Sequence, residues 1–213
     1  MSDAKRRYDD NDVKKVCKEV ERALEQTGEQ EQVNVAIEGV CGAGKTTLSA
    51  LLADRYESNL FHMDDFFLRP EQRTPARYAQ AGGNVDYERF QEEIVEHLQD
   101  RGGLVYRPFD CGSMQLGEAR EVPYRKLNIV EGAYCCHPYF GDIYQLRFFV
   151  DLSAVEQRER ILARNGGVMY QRFRDEWIPM ENRYFETYKI REKCMRIRMD
   201  LPPQALDRVY GRG

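Results

Sequence analysis

Gly39-Val40-Cys41-Gly42-Ala43-Gly44-Lys45-Thr46-Thr47 decides how the rest of the chain is read. The stretch fits G-x-x-x-x-G-K-[ST], in which glycines let successive backbone N–H groups turn inward around phosphate oxygens. Its flanks fit as well. Before it, Val33-Asn34-Val35-Ala36-Ile37-Glu38 is short, apolar and β-branched, the profile of a buried strand. After it, Leu48-Ser49-Ala50-Leu51-Leu52-Ala53-Asp54 is a good helix former with apolar residues on one face. A strand, a glycine loop and a helix in that order point the positive end of the helix dipole at a bound phosphate. Gly39, Cys41, Gly42, Ala43, Gly44, Lys45, Thr46 and Thr47 are therefore the candidate nucleotide-binding residues. Lys45 would reach the β- and γ-phosphates, and the Thr46 hydroxyl would ligate Mg²⁺.

Outward from this loop, strand and helix patterns alternate. Val13, Val16, Cys17, Val20 and Leu24 form a helical stripe within residues 11–30, with Asn11 or Asp12 as its cap. Strand 33–38 is followed by a helix over about 45–57, and Asn59-Leu60-Phe61-His62-Met63 predicts a second strand ending in Asp64-Asp65. Pro70, Pro75, Gly82 and Gly83 mark 66–85 as loop or short helix, and Phe90, Ile94 and Leu98 give a helix over 87–99 its inner face. Gly102-Gly103 breaks that helix before a short strand at 104–106. Strands at 126–130 and 146–150 end at Glu131 and Asp151. Ser153 caps a helix reaching Arg164, and Gly166-Gly167 separates it from a longer helical stretch over about 170–193. This alternation predicts an α/β fold, a parallel sheet flanked by helices, built as one domain over residues 1–213. Such sheets bind ligands beyond the carboxyl ends of their strands, where Asp64-Asp65, Glu131 and Asp151 are expected to converge.

A formal charge of −4 argues against a protein that coats nucleic acid. No apolar run reaches the length of a membrane span, and Met1-Ser2-Asp3-Ala4-Lys5-Arg6-Arg7 lacks a signal-peptide apolar region. The expectation is a cytoplasmic protein without a nucleic-acid or membrane partner. Cys17, Cys41, Cys111, Cys135, Cys136 and Cys194 form no C-x-x-C pair and read as reduced thiols. Cys135-Cys136-His137 is not read as a metal site, because adjacent residues rarely point at one ion.

A phosphate loop alone does not separate a kinase from a GTPase, a motor or a switch. The long segment after the second strand narrows the choice: residues 66–100 suit the acceptor-binding insertion of a small-molecule kinase. The arginine-rich stretch that opens the region of about 158–185 suits a lid, whose arginines stabilise charge on the transferring phosphoryl group and exclude water. Arg160 and Arg164, four apart, are its phosphate candidates, and Arg172 is a candidate contact to the acceptor.

With these residues in view, the chain resembles the uridine kinase family of P-loop small-molecule kinases, in particular the bacterial uridine kinase-like proteins. The resemblance is carried by the phosphate loop, Met63-Asp64-Asp65-Phe66-Phe67, Gly83-Asn84-Val85-Asp86-Tyr87, Val130-Glu131-Gly132 and Phe149-Val150-Asp151, in that order over roughly residues 33–165. It implies a P-loop NTPase fold with an acceptor-binding insertion and an Arg-rich lid, ATP and Mg²⁺ as cofactors, and phosphorylation of a small-molecule acceptor, a nucleoside 5′-hydroxyl. Asp64 is implied as the base that works beside Lys45, Asp86 as the carboxylate holding the ribose hydroxyls, and Glu131 as the partner of Thr46 at Mg²⁺. Tyr106 and Phe109 are implied as aromatics around the pyrimidine ring. Read from the residues alone, Asp64 also fits a turn cap, Asp86 a helix cap, and Tyr106 and Phe109 core aromatics. Family members often form homo-oligomers, so a homo-oligomer is allowed.

Two departures leave the acceptor open. Phe109-Asp110-Cys111-Gly112 has no His after the aromatic pair, and Asn165-Gly166-Gly167 with Arg172-Phe173-Arg174 replaces the family's R-G-R lid motif. A nucleoside monophosphate, a pantothenate-like alcohol or a sugar is an alternative acceptor, and Arg69, Arg73 and Arg77 could supply a cationic pocket. A nucleotide-dependent regulatory protein without acceptor activity is the rival class. Trp177, Tyr184 and Phe185 are expected to pack a lid helix against the core.

Overall fold

The structure, a computed structural model, describes residues 11–199. The start at Met1–Arg7 and the last residues of the expected 1–213 domain lie outside them. Helix α1 (Asn11–Gln26) leads into strand β1 (Val33–Gly39), helix α2 (Lys45–Arg55) and strand β2 (Ser58–His62). A connecting region follows, with short helix α3 (Pro75–Tyr78), helix α4 (Tyr87–Glu93) and two small antiparallel ribbons. These pair β3 (Leu104–Tyr106) with β6 (Arg120–Val122), and β4 (Phe109–Asp110) with β5 (Gln115–Leu116). The sheet resumes with β7 (Leu127–Glu131) and β8 (Leu146–Val150). It ends at β9 (Met195–Ile197), after helices α5 (Ala154–Arg172), α6 (Ile178–Thr187) and α7 (Ile190–Lys193).

The sheet order is β2-β7-β1-β8-β9, and every pairing is parallel. β1 and β7 are buried at every residue, as strands covered by helices on both faces must be. Their polar residues pair with one another: Asn59 donates to the Asn128 side chain at 2.9 Å, and Asn128 donates to Asn34 at 2.9 Å. That amide ladder crosses β2, β7 and β1, and a one-residue slip of register would strand each amide in an apolar core. Val13, Val16 and Val20 of α1 pack on the sheet, and Phe66, Phe90, Tyr184 and Phe185 extend the same core. Each such side chain contributes roughly 1.5–3 kcal/mol by leaving water. Among the described residues no helix is long and apolar enough to cross a membrane.

Three elements differ from expectation. The α4 helix stops at Glu93 and tightens into a 3₁₀ turn at Val95–His97, which keeps both Ile94 and Leu98 inside. Gly166-Gly167 makes a kink rather than an end: Gly166 takes φ 75° and ψ 172°, and α5 continues to Arg172. The stretch expected as one helix over 170–193 divides at Lys189, which has φ 52°, before α7 and the unexpected strand β9. β9 is an edge strand in which Arg196 faces out and Ile197 is buried, so its sequence carries little apolar signal.

Candidate active site

The phosphate loop leaves β1 at Gly39, whose φ is 147°; a Cβ there would sit 2.2 Å from the Val150 carbonyl oxygen of β8. Only glycine permits that approach, and Gly42 and Gly44 supply further positive φ values of 78° and 100°. Helix α2 starts at Lys45 with no side-chain cap, so its first N–H groups stay open to an anion. The Lys45 ammonium donates to the Gly39 and Val40 carbonyls at 2.8 and 3.1 Å. Burial pulls its pKa down, but the Glu181, Glu131 and Glu38 carboxyl groups outweigh that and leave it raised, so Lys45 stays cationic. Glycine cradle, open helix end and half-buried cation together fit a triphosphate.

Two carboxylates reach the same place because β7 lies between β1 and β2. Glu131 closes β7 level with Ile37 and His62, and Asp64 sits in the 3₁₀ turn Met63–Phe66 directly after β2. Thr46 Oγ1 lies 3.3 and 3.4 Å from the two Glu131 oxygens. This hydroxyl–carboxylate pair is a hard-oxygen donor set of the kind Mg²⁺ takes. His62 Nδ1 lies 2.6 Å from Glu131 Oε1, and that hydrogen bond raises the imidazole pKa against its partial burial. Asp64 is exposed on the cavity wall yet crowded by protein. Burial, then Glu131, holds its carboxyl above the ordinary range, while Lys45 and His62 oppose the shift.

A cavity of about 980 Å³ collects these groups. Cys41, Gly42, Gly44, Lys45, Thr46, Thr47, Asp64, Glu131, Arg164 and Arg172 line it. Other candidates stand behind its wall. Gly39 lies against β8, Ala43 is fully buried, and Arg160 turns its guanidinium to the Ala43 and Met199 carbonyls at 3.4 and 2.8 Å. Asp86 caps α4 by accepting from Arg89 N–H at 3.2 Å; it is 2% exposed, and its Oδ2 has no hydrogen-bond partner among the described residues. The Tyr106 ring stacks on Phe66 at 5.6 Å, and its hydroxyl donates to Asp65. The Phe109 ring is covered by the Arg73 guanidinium at 5.7 Å. Both rings are inward residues of the small ribbons, so they face the core. Asp151 does not converge with the other strand-end acids: β8 lies on the far side of β1, and Asp151 pairs with Arg196 of β9.

Residues that sequence reasoning passed over hold the loop in place. Glu181, on α6, accepts the Cys41 N–H at 3.0 Å, and Gln157, on α5, donates to the Cys41 carbonyl at 3.0 Å. Both peptides that flank the Cys41 Cα, one through its N–H and the next through its carbonyl, are thus held by helices α5 and α6. Three residues on from Glu181, Tyr184 donates to Glu38 at 3.1 Å from the same helix face. Glu38 also accepts N–H groups of Gly39, Tyr134 and Cys136; burial pushes its carboxyl up to about 7 against these donors. The ligand atoms of Glu38, Cys135 and Cys136 lie within 4.8 Å of one another, with the carboxylate already committed to those donors, and His137 stacks on Tyr87 at 4.4 Å. The legible signal for this bracing was a lone acid in the apolar run Ile178-Pro179-Met180-Glu181.

No family profile and no curated protein matches the chain by sequence. Solved structures do match by shape. A structure described as a possible uridine kinase from Bacillus stearothermophilus superposes with a TM-score of 0.67 at 15% identity, over 88% of this chain and 97% of that one. A D-glycerate 3-kinase from Cryptococcus neoformans var. grubii superposes at 0.55 and 15% identity, over 79% and 85%. The chain has the parallel-sheet fold of the uridine kinase-like P-loop kinases.

Proposed function

We propose that this chain is a phosphotransferase that uses Mg-ATP to phosphorylate a hydroxyl of a small molecule. One observation carries the reading: Lys45, Thr46, Glu131 and Asp64 meet in one cavity at the ends of adjacent parallel strands. Lys45 and the loop amides through Thr47 hold the triphosphate. Thr46 Oγ1 and Glu131 hold the metal, with His62 fixing the carboxylate. Bound Mg-ATP supplies the transferable phosphoryl group and a cation that screens its charge. Asp64 accepts the proton that the acceptor hydroxyl loses as its oxygen attacks, and a raised pKa makes the ionised carboxylate a stronger base. Arg164 and Arg172 reach the cavity from the region of about 158–185, which acts as a lid over the phosphates. Arg160 acts one step back, on the loop carbonyl of Ala43.

The acceptor is a separate matter. The resemblance points to a nucleoside 5′-hydroxyl, but Asp86, Tyr106 and Phe109, the residues it assigns to ribose and base, stand outside the cavity wall. The two structural neighbours are themselves named for different acceptors, uridine and D-glycerate. These observations support a small-molecule hydroxyl kinase, which we read as one domain with the cytoplasm as its expected compartment.

The test is ADP release from Mg-ATP across uridine, cytidine, nucleoside monophosphates, glycerate, pantothenate and simple sugars. The expected result is release that depends on one acceptor, with one phosphoryl group added to it by mass. Tight nucleotide binding with no acceptor-dependent release would overturn the proposal in favour of a nucleotide-dependent regulatory protein.

A further inference from the structure

The insertion over residues 66–100 carries Arg69, Arg73, Arg77 and Arg89, and the structure sorts them sharply. Arg77 makes a two-pronged bond to Glu88 at 2.5 and 2.6 Å and also donates to the Gly83 and Val85 carbonyls. Arg89 is 6% exposed and bonds Glu93 and the carbonyls of Asp65 and Arg107. Arg69 sits 3.5 Å from Glu71 and 3.8 Å from Asp86. These three brace the insertion. Arg73 does not. It is the insertion's arginine that lines the cavity, alongside Asp64, Phe67, Leu68, Tyr78 and Asn84. Its Nε donates to the Leu68 carbonyl at 3.0 Å, and its guanidinium lies over the Phe109 ring at 5.7 Å. Among the described residues, no carboxylate lies within ion-pair distance of it, and its two terminal nitrogens donate to none.

Nε and the ring contact hold the guanidinium plane, leaving the edge that forms paired hydrogen bonds with a carboxylate or phosphate. The same ring contact uses up Phe109, which might otherwise stack on a base, and Tyr106 is already committed to Phe66 and Asp65. Among the described residues, the acceptor side therefore offers a fixed cation beside Phe67 and Tyr78, while the Tyr106–Phe109 pair implied for a pyrimidine ring is committed elsewhere. We infer that Arg73 anchors an anionic group of the acceptor, so that the phosphorylated molecule is a small hydroxyl compound carrying a carboxylate or a phosphate. This inference rests on the kinase reading above and names the acceptor class for it.

The test uses the full chain and two variants, Arg73→Gln and Arg73→Lys. ADP release is measured with glycerol, glycerate and glycerol 3-phosphate, with ribose and ribose 5-phosphate, and with uridine. The same compounds are scored without nucleotide by the shift they cause in thermal unfolding. The wild type is expected to prefer an anionic member over its neutral partner. Glycerate against glycerol 3-phosphate then tells carboxylate from phosphate. Arg73→Gln should raise the KM for that compound roughly 10- to 100-fold with kcat little changed and abolish its thermal shift, and Arg73→Lys should restore part of each. The thermal shift caused by ATP should be the same in all three proteins. A neutral compound used as well as its anionic partner, or a KM unmoved in Arg73→Gln, would overturn the inference and leave the kinase reading standing. If no compound stimulates ADP release, the kinase reading fails, and the thermal shifts still judge Arg73: an anion that stabilises wild type and Arg73→Gln alike overturns its role as the anchor.

Discussion

The phosphate side and the acceptor side of the cavity are built in different ways. On the side proposed for phosphate the backbone would do the binding, and long-range contacts hold that backbone: Glu181 and Gln157 grip Cys41 by its N–H and its carbonyl, Arg160 holds Ala43, and Gly39 abuts β8. On the acceptor side the wall is made of side chains from the connecting region after β2, among short helices and two-stranded ribbons. Phosphate geometry is common to every nucleotide, so the sheet and its first loop can be shaped for it once. An acceptor is particular, and its recognition falls to loops that a rigid scaffold carries.

The sharpest way to separate the two sides is to remove Asp64, which stands between them. Asp64→Asn should lower kcat by about 10²–10⁴-fold, the usual cost of losing a general base, while ATP affinity stays as in the wild type. Unchanged turnover would take Asp64 out of the mechanism, and lost ATP affinity would move it to the phosphate side. The pH profile supplies an independent reading. Asp64 must be ionised to accept a proton, and burial with Glu131 raises its pKa. Activity should therefore fall as the pH drops through a value above the ordinary carboxylate range, rather than within it.

The same division explains what the sequence disclosed. Gly39 to Thr47, the strand before it and the helix after it obey rules of local geometry, and Asp64 and Glu131 follow once strands are known to end there. Glu181 and Gln157 obey no local rule: they lie 140 and 116 residues from Cys41, whose N–H and carbonyl they grip, and one sequence holds no record of that distance. Tyr106 and Phe109 pose the opposite problem: their residue types suit a binding site, but alternation within ribbons of two and three residues is too short to tell an inward face from a cavity face. Asp86 caps helix α4, a role that its sequence position also fits. Strand β9 escaped for a related reason, since an edge strand of three residues with outward arginine has no apolar run to reveal it.

The bracing of the phosphate side is open to a test of intermediate size. Glu181→Ala leaves the Cys41 N–H without its acceptor, and Gln157→Ala leaves the Cys41 carbonyl without its donor. A buried polar group that loses its partner costs about 1–3 kcal/mol, so each variant should unfold at a lower temperature and bind ATP more weakly. Because both residues hold the backbone of Cys41, through its N–H and its carbonyl, the double variant should lose less than the sum of the two. Acceptor KM should not move. A rise in acceptor KM without loss of ATP affinity would show that the arginine-rich region serves the acceptor side instead.

The smallest effect bears on the boundary between the sides. Tyr106→Phe removes the hydroxyl that donates to Asp65 at 3.0 Å and accepts from Arg120 at 3.3 Å but keeps a ring 3% exposed and stacked on Phe66. If the ring belongs to the core, the change costs stability, about 0.5–1.5 kcal/mol for each hydrogen bond lost, and leaves every acceptor's KM alone. If the ring instead meets the acceptor, the signature reverses: KM shifts while thermal stability holds. The two readings predict opposite pairs of results from one substitution, so a small change suffices to decide them. Acceptor recognition would then belong either to the open wall around Arg73 and Asn84 or to an aromatic side that must first be exposed.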